Sequence, residues 1–153
     1  SDPRHSGLPF RAVREKEVTD CDFLVDSEFY KKRLDLCVAE GPGEIKRGEA
    51  LPLDYWMDKT SHVSFNKGCF IGQEVTARVY HRNKIRRRLI SINNQKIKLE
   101  PSKITDKSLR FINQIGEIVL LLAPVDLVNK FEASNNEAEI IWFNNYVKFN
   151  YYL

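Results

Sequence analysis

The chain has 153 residues, of which 42% are hydrophobic and 29% are charged, so it has the size of one compact domain or two small ones. No apolar run approaches the roughly 18 residues that a membrane-spanning helix needs, which argues against a membrane role. The formal net charge of +3 is too small to indicate nucleic-acid binding by itself.

The cysteines Cys21, Cys37 and Cys69 are widely spaced and odd in number. This pattern argues against a disulfide framework and indicates a reducing compartment. A zinc site is not expected, because the sequence has no CxxC pair and its histidines lack ligand spacing relative to the cysteines. The amino terminus lacks the basic start and the apolar segment of a secretory signal.

The first predicted elements are a strand and a helix. Residues 8–13 read as a short strand, and a helix follows with Asp26 or Ser27 as its cap and Gly41 as its stop. One face of this helix would carry Tyr30, Leu34, Cys37 and Val38. Cys37 is therefore interpreted as a core residue and not as a reactive thiol.

A second, shorter helix is predicted at "LPLDYWMDKT", with Pro52 in its first turn. It would carry Tyr55, Trp56 and Met57, which we interpret as packing residues, with the lining of a pocket for a flat ring as the alternative. The next segment, "HVSF", reads as a short β-like run.

From Lys84 onward the sequence consists of short β-type segments divided by polar or turn residues. These segments are "KIRRRLISIN", "QKIKLE", "SLRFIN", "GEIVLLL", "AEIIWF" and "YVKFNYYL". Alternating apolar residues, clearest in the last segment, predict strands with one buried and one wet face. A small barrel or sandwich is expected, with a domain boundary near Asn83.

The stretch "NKGCFIGQEVTAR", residues 66–78, is the most unusual part of the sequence. We expect Gly72 to lie where a turn becomes a helix, with Glu74 in the first helical turn. Cys69 would lie just outside the same helix end. There Lys67 and free backbone N–H groups would favour its thiolate form, as in a nucleophile, a redox group or a transient ligand of a metal cluster.

The polar residues after Gly72 offer two interpretations. Gln73 and Glu74 have the amide and the carboxylate that would grip the edge of a heterocycle such as a pterin, and Arg78 would orient that carboxylate or bind an anionic tail. The alternative is a purely structural junction, in which Cys69 and Phe70 fill the core and Glu74 pairs with Arg78 on the surface.

A local basic patch follows the motif. Its members are Arg78, His81, Arg82, Lys84, Arg86, Arg87 and Arg88. We interpret it as a solvated face, with an RNA- or DNA-binding stripe as the alternative. The patch has few interleaved aromatic residues of the kind that stack on single strands, which weakens the nucleic-acid interpretation.

The string "KGCFIGQE" with its "TAR" extension resembles the signature of the YgfZ family, the folate-binding iron–sulphur protein maturation factors related to the glycine-cleavage T-protein, an aminomethyltransferase. The "DPR" at residues 2–4 and "GEALPLDYWMD" before "VSFNKGC" resemble the family's flanking text. The resemblance extends to about Leu89 and is weak beyond. Pro9 and Asp54 stand where the family usually has glycine and glutamate.

The resemblance implies an α+β fold and identifies the chain as similar to a carboxy-terminal half. Residues 1–83 would be the remainder of a central α/β, ferredoxin-like domain that carries the signature. Residues 84–153 would form a small antiparallel β-barrel. The carboxylate that acts on the folate-bound one-carbon unit in the T-protein would lie in the other half.

The resemblance also implies a function. Lys67, Gln73, Glu74 and Arg78 would face a cavity for tetrahydrofolate, with Cys69 as the functional thiol and no resident metal. The protein would assist assembly or repair of iron–sulphur clusters in client proteins, without turnover chemistry of its own; the alternative is a folate-dependent aminomethyltransferase. Its partners would be iron–sulphur client or assembly proteins, not a membrane or RNA, in a bacterial cytoplasm or the mitochondrial matrix.

Overall fold

The computed structural model describes residues 2–10, 15, 26–94 and 108–127. Within these ranges the elements in chain order are α1 (Asp26–Asp35), α2 (Gly41–Glu44), a 3₁₀ helix (Pro52–Tyr55), α3 (Glu74–His81), β1 (Arg87–Asn93), β2 (Arg110–Ile115) and β3 (Ile118–Pro124). The expected mixture of helices and an antiparallel sheet is confirmed. The closure of a barrel stays a prediction, because three of the six predicted strand segments, residues 95–100, 138–143 and 146–153, lie outside the described residues.

The described strands form one antiparallel sheet in the order β1-β3-β2. β1 pairs with β3 along its whole length, with Leu89 opposite Leu122 and Ser91 opposite Leu120. β2 and β3 are joined by a two-residue connection that begins with Gly116, whose φ of +57° suits the first position of a tight hairpin turn.

The sheet is buried on both faces at β1 and β3. Leu89, Ile118 and Leu120 pack in a cluster with α1 and the aromatic residues of the 3₁₀ segment. The alternate residues of the same strands form a second cluster, made of Ile90, Ile92, Val119, Leu121 and Ala123. The expectation of one wet face is therefore wrong for these two strands. The apolar sequence of β3 is typical of a strand covered on both sides, whereas β1 buries the polar residues Arg88 and Ser91 beside its apolar ones.

Helix α1 is confirmed, but its predicted end is wrong. It ends at Asp35, and Cys37 takes a left-handed φ of 57°. The amide of Val38 donates to the carbonyl of Arg33 at 3.0 Å, and that of Cys37 donates to the carbonyl of Leu34 at 2.9 Å. This closure is a Schellman-type C-cap in which cysteine occupies the position that glycine usually takes.

Two predicted strands are not present where they fall on described residues. Residues 8–10 are irregular, and residues 11–13 lie outside the described ranges. The segment "HVSF" is also irregular, and at its start Nδ1 of His62 lies 2.8 Å from Oγ1 of Thr60. The predicted helix at Pro52 is confirmed as a 3₁₀ helix with proline in its first turn.

The predicted boundary near Asn83 falls in the turn between α3 and β1, where Asn83 has a φ of 48°. Packing crosses this position, since the indole N–H of Trp56 donates to the carbonyl of Leu89 at 2.7 Å. The guanidinium of Arg88 lies 4.0 Å from the centre of the same indole ring. These contacts join the 3₁₀ segment to β1, and the division into residues 1–83 and 84–153 stays a prediction.

Candidate functional site

Residues 66–73 of the "NKGCFIGQEVTAR" motif form an exposed loop that leads directly into α3. Gly72 has a φ of +95°, a conformation that side chains other than glycine rarely adopt, and α3 begins two residues later at Glu74. The predicted turn at Gly72 and the predicted helix are both confirmed.

Local hydrogen bonds from side chains to the backbone hold this turn. The amide of Phe70 donates to Oε1 of Gln73 at 3.2 Å, and the amide of Gln73 donates back to the carbonyl of Phe70 at 3.0 Å. The amide of Gly72 donates to Oε2 of Glu74 at 2.9 Å. Glu74 therefore satisfies a backbone N–H just before the helix, at the positive end of the helix dipole.

Cys69 is exposed in this loop, whereas Cys37 is buried. Burial raises the pKa of the Cys37 thiol well above its ordinary value, so that thiol stays protonated and packed in the core. The interpretation of Cys37 as a core residue is confirmed. Of the two cysteines that the structure describes, Cys69 is the one that solvent and other molecules can reach; Cys21 lies outside the described residues.

The structural alternative for the motif is wrong in both of its parts. Phe70 does not fill the core, because it is 77% exposed, and Ile71 is 101% exposed. Glu74 and Arg78 form no ion pair, although both lie within the described part of the chain; the carboxylate of Glu74 accepts the Gly72 N–H instead. The loop is held by its own hydrogen bonds and projects away from the core.

The aromatic residues at the end of α3 contact the preceding segment. The ring of Tyr80 stacks on that of Phe65, with 3.7 Å between ring centres and 10° between planes. His81 meets the Phe65 ring edge-on at 6.0 Å. No residue of α3 is fully buried. The helix thus lies on the surface, with its first turn and the preceding loop open to solvent.

The residues predicted to bind a cofactor all lie on this exposed segment. Lys67 is in the loop, with its Nζ 6.0 Å from the centre of the Phe70 ring. Gln73 precedes the helix, Glu74 opens it, and Arg78 lies one turn further along. All four side chains are exposed. Their use in binding stays a prediction.

Tyr55 and Trp56 are packing residues, as interpreted from the sequence. Each is 4% exposed, and both belong to the cluster between α1 and the sheet. The phenol of Tyr55 donates to the carbonyl of Glu44 at 3.2 Å, and burial raises its pKa. This packing favours the core interpretation over the alternative that they line a pocket for a flat ring.

The basic patch divides into structural and solvent-facing members. Arg88 is buried and pairs with Asp58 through bonds of 2.7 and 3.0 Å, and it also donates to the carbonyl of Leu53. Arg87 lies 3.1 Å from Asp54, whose pKa is raised by burial despite the nearby positive charge. The other members, Arg78, His81, Arg82, Lys84 and Arg86, are exposed.

Sequence reasoning missed a buried ionic network around Glu44. Arg33 donates to both carboxylate oxygens of Glu44, at 2.6 and 2.7 Å, and to the carbonyl of Val38. The amide of Glu40 and the side chain of Asn113 complete the carboxylate's bonds at 2.8 and 2.7 Å. Burial raises the pKa of Glu44, but these hydrogen bonds outweigh it and the net pKa is lowered. No sequence pattern marks this long-range network, which braces the end of α1 against β2.

In the part of the chain that the structure describes, no three His, Cys, Asp or Glu side chains are grouped so that they could hold a metal ion. None of the described helices combines the length and the apolar character required to cross a bilayer.

No family model matches the chain. The chain is, however, similar to individual proteins that are named as iron–sulphur cluster assembly factors. A protein of Neurospora crassa named "Iron-sulfur cluster assembly factor IBA57 homolog, mitochondrial" is 37% identical over 94 residues, which cover 58% of this chain and 21% of that protein.

Proteins with the same name from two other fungi are also similar. The one from Cryptococcus neoformans is 50% identical over 60 residues, covering 39% of this chain and 16% of its own length. The one from Mycosarcoma maydis is 33% identical over 97 residues, covering 60% and 24%. The matched part thus spans about a fifth of the length of these relatives, whose names also agree with the mitochondrial member of the two expected compartments.

Proposed function

We propose that the chain is part of a YgfZ-type maturation factor that assists assembly or repair of iron–sulphur clusters in client proteins, inside mitochondria. The observation that carries this proposal is the exposed Cys69, held in a loop that its own hydrogen bonds shape and that projects away from the core. The names of the relatives support the same process and the same organelle.

Cys69 would act as a transient ligand or nucleophile toward a cluster that a client or assembly protein carries. A thiolate is the ligand that iron–sulphur clusters prefer, and a cluster is usually held by four of them. Cys69 has no second described cysteine beside it, because Cys37 is sealed in the core. A single thiol is suited to transferring or protecting a cluster that the partner holds. The cluster would therefore be a substrate and not a resident cofactor.

Tetrahydrofolate is proposed as the small-molecule ligand of the same surface. The donor set fits its polar edge: one oxygen of Glu74 and the amide nitrogen of Gln73 remain for a ring edge, while their other atoms hold the turn. Phe70 offers an exposed ring face, and Arg78 and Lys67 offer positive charge to the anionic tail. When bound, the folate would supply one-carbon chemistry; these side chains would orient it.

Two measurements on the full-length protein test the proposed function. Depletion of the protein in cells should lower the activities of iron–sulphur enzymes, and not those of cluster-free enzymes of the same compartment. Re-expression of the wild type should restore them. The alternative, an aminomethyltransferase, predicts instead that the purified protein releases methylene-tetrahydrofolate from an aminomethyl carrier. That turnover, with unchanged iron–sulphur enzymes after depletion, would contradict the proposal.

A direct binding measurement tests the folate ligand separately. Isothermal titration of tetrahydrofolate into the full-length protein should give saturable binding that Glu74→Gln weakens, since the variant removes the carboxylate and keeps the side chain's size. Glu49→Gln, which changes an exposed carboxylate remote in sequence from the motif, is the matched control. Equal affinity for both variants would exclude Glu74 as a folate contact.

A further inference from the structure

The outer side of α3 and the tip of the preceding loop expose three large apolar side chains. Phe70 and Ile71 are 77% and 101% exposed, and Val75, in the first helical turn, is 60% exposed. Exposed apolar groups that adjoin one another are typical of interaction sites on a protein surface. This group adjoins the thiol of Cys69 in sequence but is distinct from it.

Positive charge continues the same surface toward the carboxyl end of the helix. Side chains three or four residues apart are neighbours on a helix surface, so Val75, Arg78 and the cap residue Arg82 lie along one outward side. All three are exposed. The opposite side of the helix is the one attached to the fold, since Tyr80 stacks on Phe65 there.

These cations have no partners among the described carboxylates. Residues 67–86 contain five Lys and Arg side chains and one carboxylate, Glu74, which accepts the Gly72 N–H. The five are Lys67, Arg78, Arg82, Lys84 and Arg86. None of them forms an ion pair within the described ranges, whereas the next two arginines are paired with Asp54 and Asp58. The stretch therefore keeps a net positive charge that the carboxylates in the described part of the chain do not neutralise.

We propose that the α3 face, defined as Phe70, Ile71, Val75, Arg78 and Arg82, is a docking surface for an acidic protein. The partner would offer an apolar depression to the loop tip and carboxylates to the arginines. The apolar side chains at the start of the α3 face would fill the partner's apolar depression, and the arginines toward its end would pair with the partner's carboxylates. The flanking Lys84 and Arg86 would steer the approach through long-range attraction.

Three other occupants fit this face less well. A second copy would bring the same positive charges together face to face. RNA would satisfy the arginines through its phosphates but would leave Ile71 and Val75 without apolar contacts. An anionic bilayer would take up Phe70 and Ile71 but would bring the Glu74 carboxylate against headgroups of the same sign.

The test uses the full-length protein and a defined probe, a fluorescently labelled synthetic helix with one leucine face and glutamate elsewhere. We expect saturable binding by fluorescence anisotropy that weakens as salt is raised. Arg78→Glu with Arg82→Glu should lower the affinity about tenfold or more, because attraction becomes repulsion. Ile71→Ser should lower it about tenfold, because an apolar contact is lost.

Matched controls separate binding at the α3 face from effects of total charge and of exposed apolar side chains elsewhere. Lys46→Glu with Arg47→Glu makes the same change in net charge on exposed side chains elsewhere, and Phe10→Ser removes an apolar side chain that is 83% exposed. Both should leave the affinity unchanged. Cys69→Ala should also leave it unchanged, so failure of the thiol's proposed role and failure of this surface are distinguishable.

The same variants are measured against single-stranded RNA and against vesicles containing phosphatidylserine. Tighter binding of RNA that Ile71→Ser does not alter would assign the face to nucleic acid. Insertion into vesicles that Ile71→Ser abolishes, without peptide binding, would assign it to a membrane. Absence of peptide binding, equal loss in the control variants, or concentration-dependent dimerisation through this face would also overturn the proposal.

Discussion

Replacement of Glu44 by glutamine tests the buried ionic network most sharply. The side chains of Arg33 and Glu44 are only 3% and 7% exposed, and the carboxylate accepts four hydrogen bonds, from Arg33 (two), the amide of Glu40 and Asn113. Glu44→Gln leaves the guanidinium of Arg33 buried without a counter-charge. It also turns one acceptor oxygen into an NH₂ group that faces donors.

The magnitude follows from the cost of breaking a buried pair by removing one partner, about 3 to 5 kcal/mol. Because glutamine keeps one carbonyl acceptor, we expect a loss at the lower end, about 3 kcal/mol in the free energy of unfolding. Urea denaturation of the full-length protein, followed by tryptophan fluorescence, measures it. The cost should not add to that of Arg33→Met in the double variant, since each change destroys the same pair.

The control is Glu49→Gln. Glu49 also pairs with an arginine, Arg110, at 3.1 Å, but its side chain is 59% exposed. Exposed pairs contribute at most about 1 kcal/mol, so this variant should lose less than that. Equal losses in the two variants, or a loss below about 1 kcal/mol for Glu44→Gln, would refute the reasoning that burial makes the Glu44 pair the stronger one.

Three further predictions concern acid, the thiol and the turn. The pKa of Glu44 in the folded protein lies below its ordinary value of 4.5, so its stabilising contribution is present above pH 4.5 and is lost as the pH falls through the folded-state pKa. The urea midpoint should therefore fall on acidification below pH 4.5, and Glu44→Gln should make the midpoint less dependent on pH in that range. In the folded protein N-ethylmaleimide should modify Cys69 and leave Cys37 untouched until denaturant is added, as peptide mass mapping would show; equal labelling would contradict the burial difference. Gly72→Ala should lower the free energy of unfolding in urea by about 1 to 2 kcal/mol, because alanine is strained at a φ of +95°. Gly68 has no positive φ and equally open space, so Gly68→Ala should change that free energy by no more than about 0.5 kcal/mol. Similar values for the two variants would exclude backbone strain at Gly72.

The sequence was sufficient to predict elements with strong local signals. Pro52 in a first helical turn, Gly72 at the entry to α3 and the apolar run of β3 each follow from the conformational preferences of a few residues. Local rules sufficed there because no distant contact competes with them. The local pattern leaves the position of Cys69 open between an exposed loop and the core, and the structure places it in the exposed loop.

The features that sequence reasoning missed depend on distant partners. The usual preference for glycine at a C-cap predicts that α1 ends at Gly41, but the left-handed cap residue is Cys37, which also packs in the core. The usual exposure of arginine predicts a solvated Arg88, yet Asp58, thirty residues away, neutralises it in the interior. Nothing in the spacing of these residues in the sequence reveals such pairs.

The burial of both sheet faces was missed for a related reason. The alternation that predicts one wet face was clearest in the last segment, which lies outside the described residues. In β3 the apolar residues are nearly continuous, whereas β1 also buries Arg88 and Ser91 although both are polar. A continuous pattern of this kind predicts cover on both sides of the sheet, but it does not say which segments provide the cover.

The central claim is that the exposed thiol of Cys69 serves iron–sulphur cluster maturation. The most direct measurement expresses Cys69→Ala in the full-length protein in cells that lack the endogenous copy, beside Asn66→Ala, an exposed change in the same loop. Both variants should be present at wild-type levels by immunoblot. We expect Cys69→Ala to leave iron–sulphur enzyme activities as low as in the depleted cells, and Asn66→Ala to restore them. Full restoration by Cys69→Ala would contradict the claim.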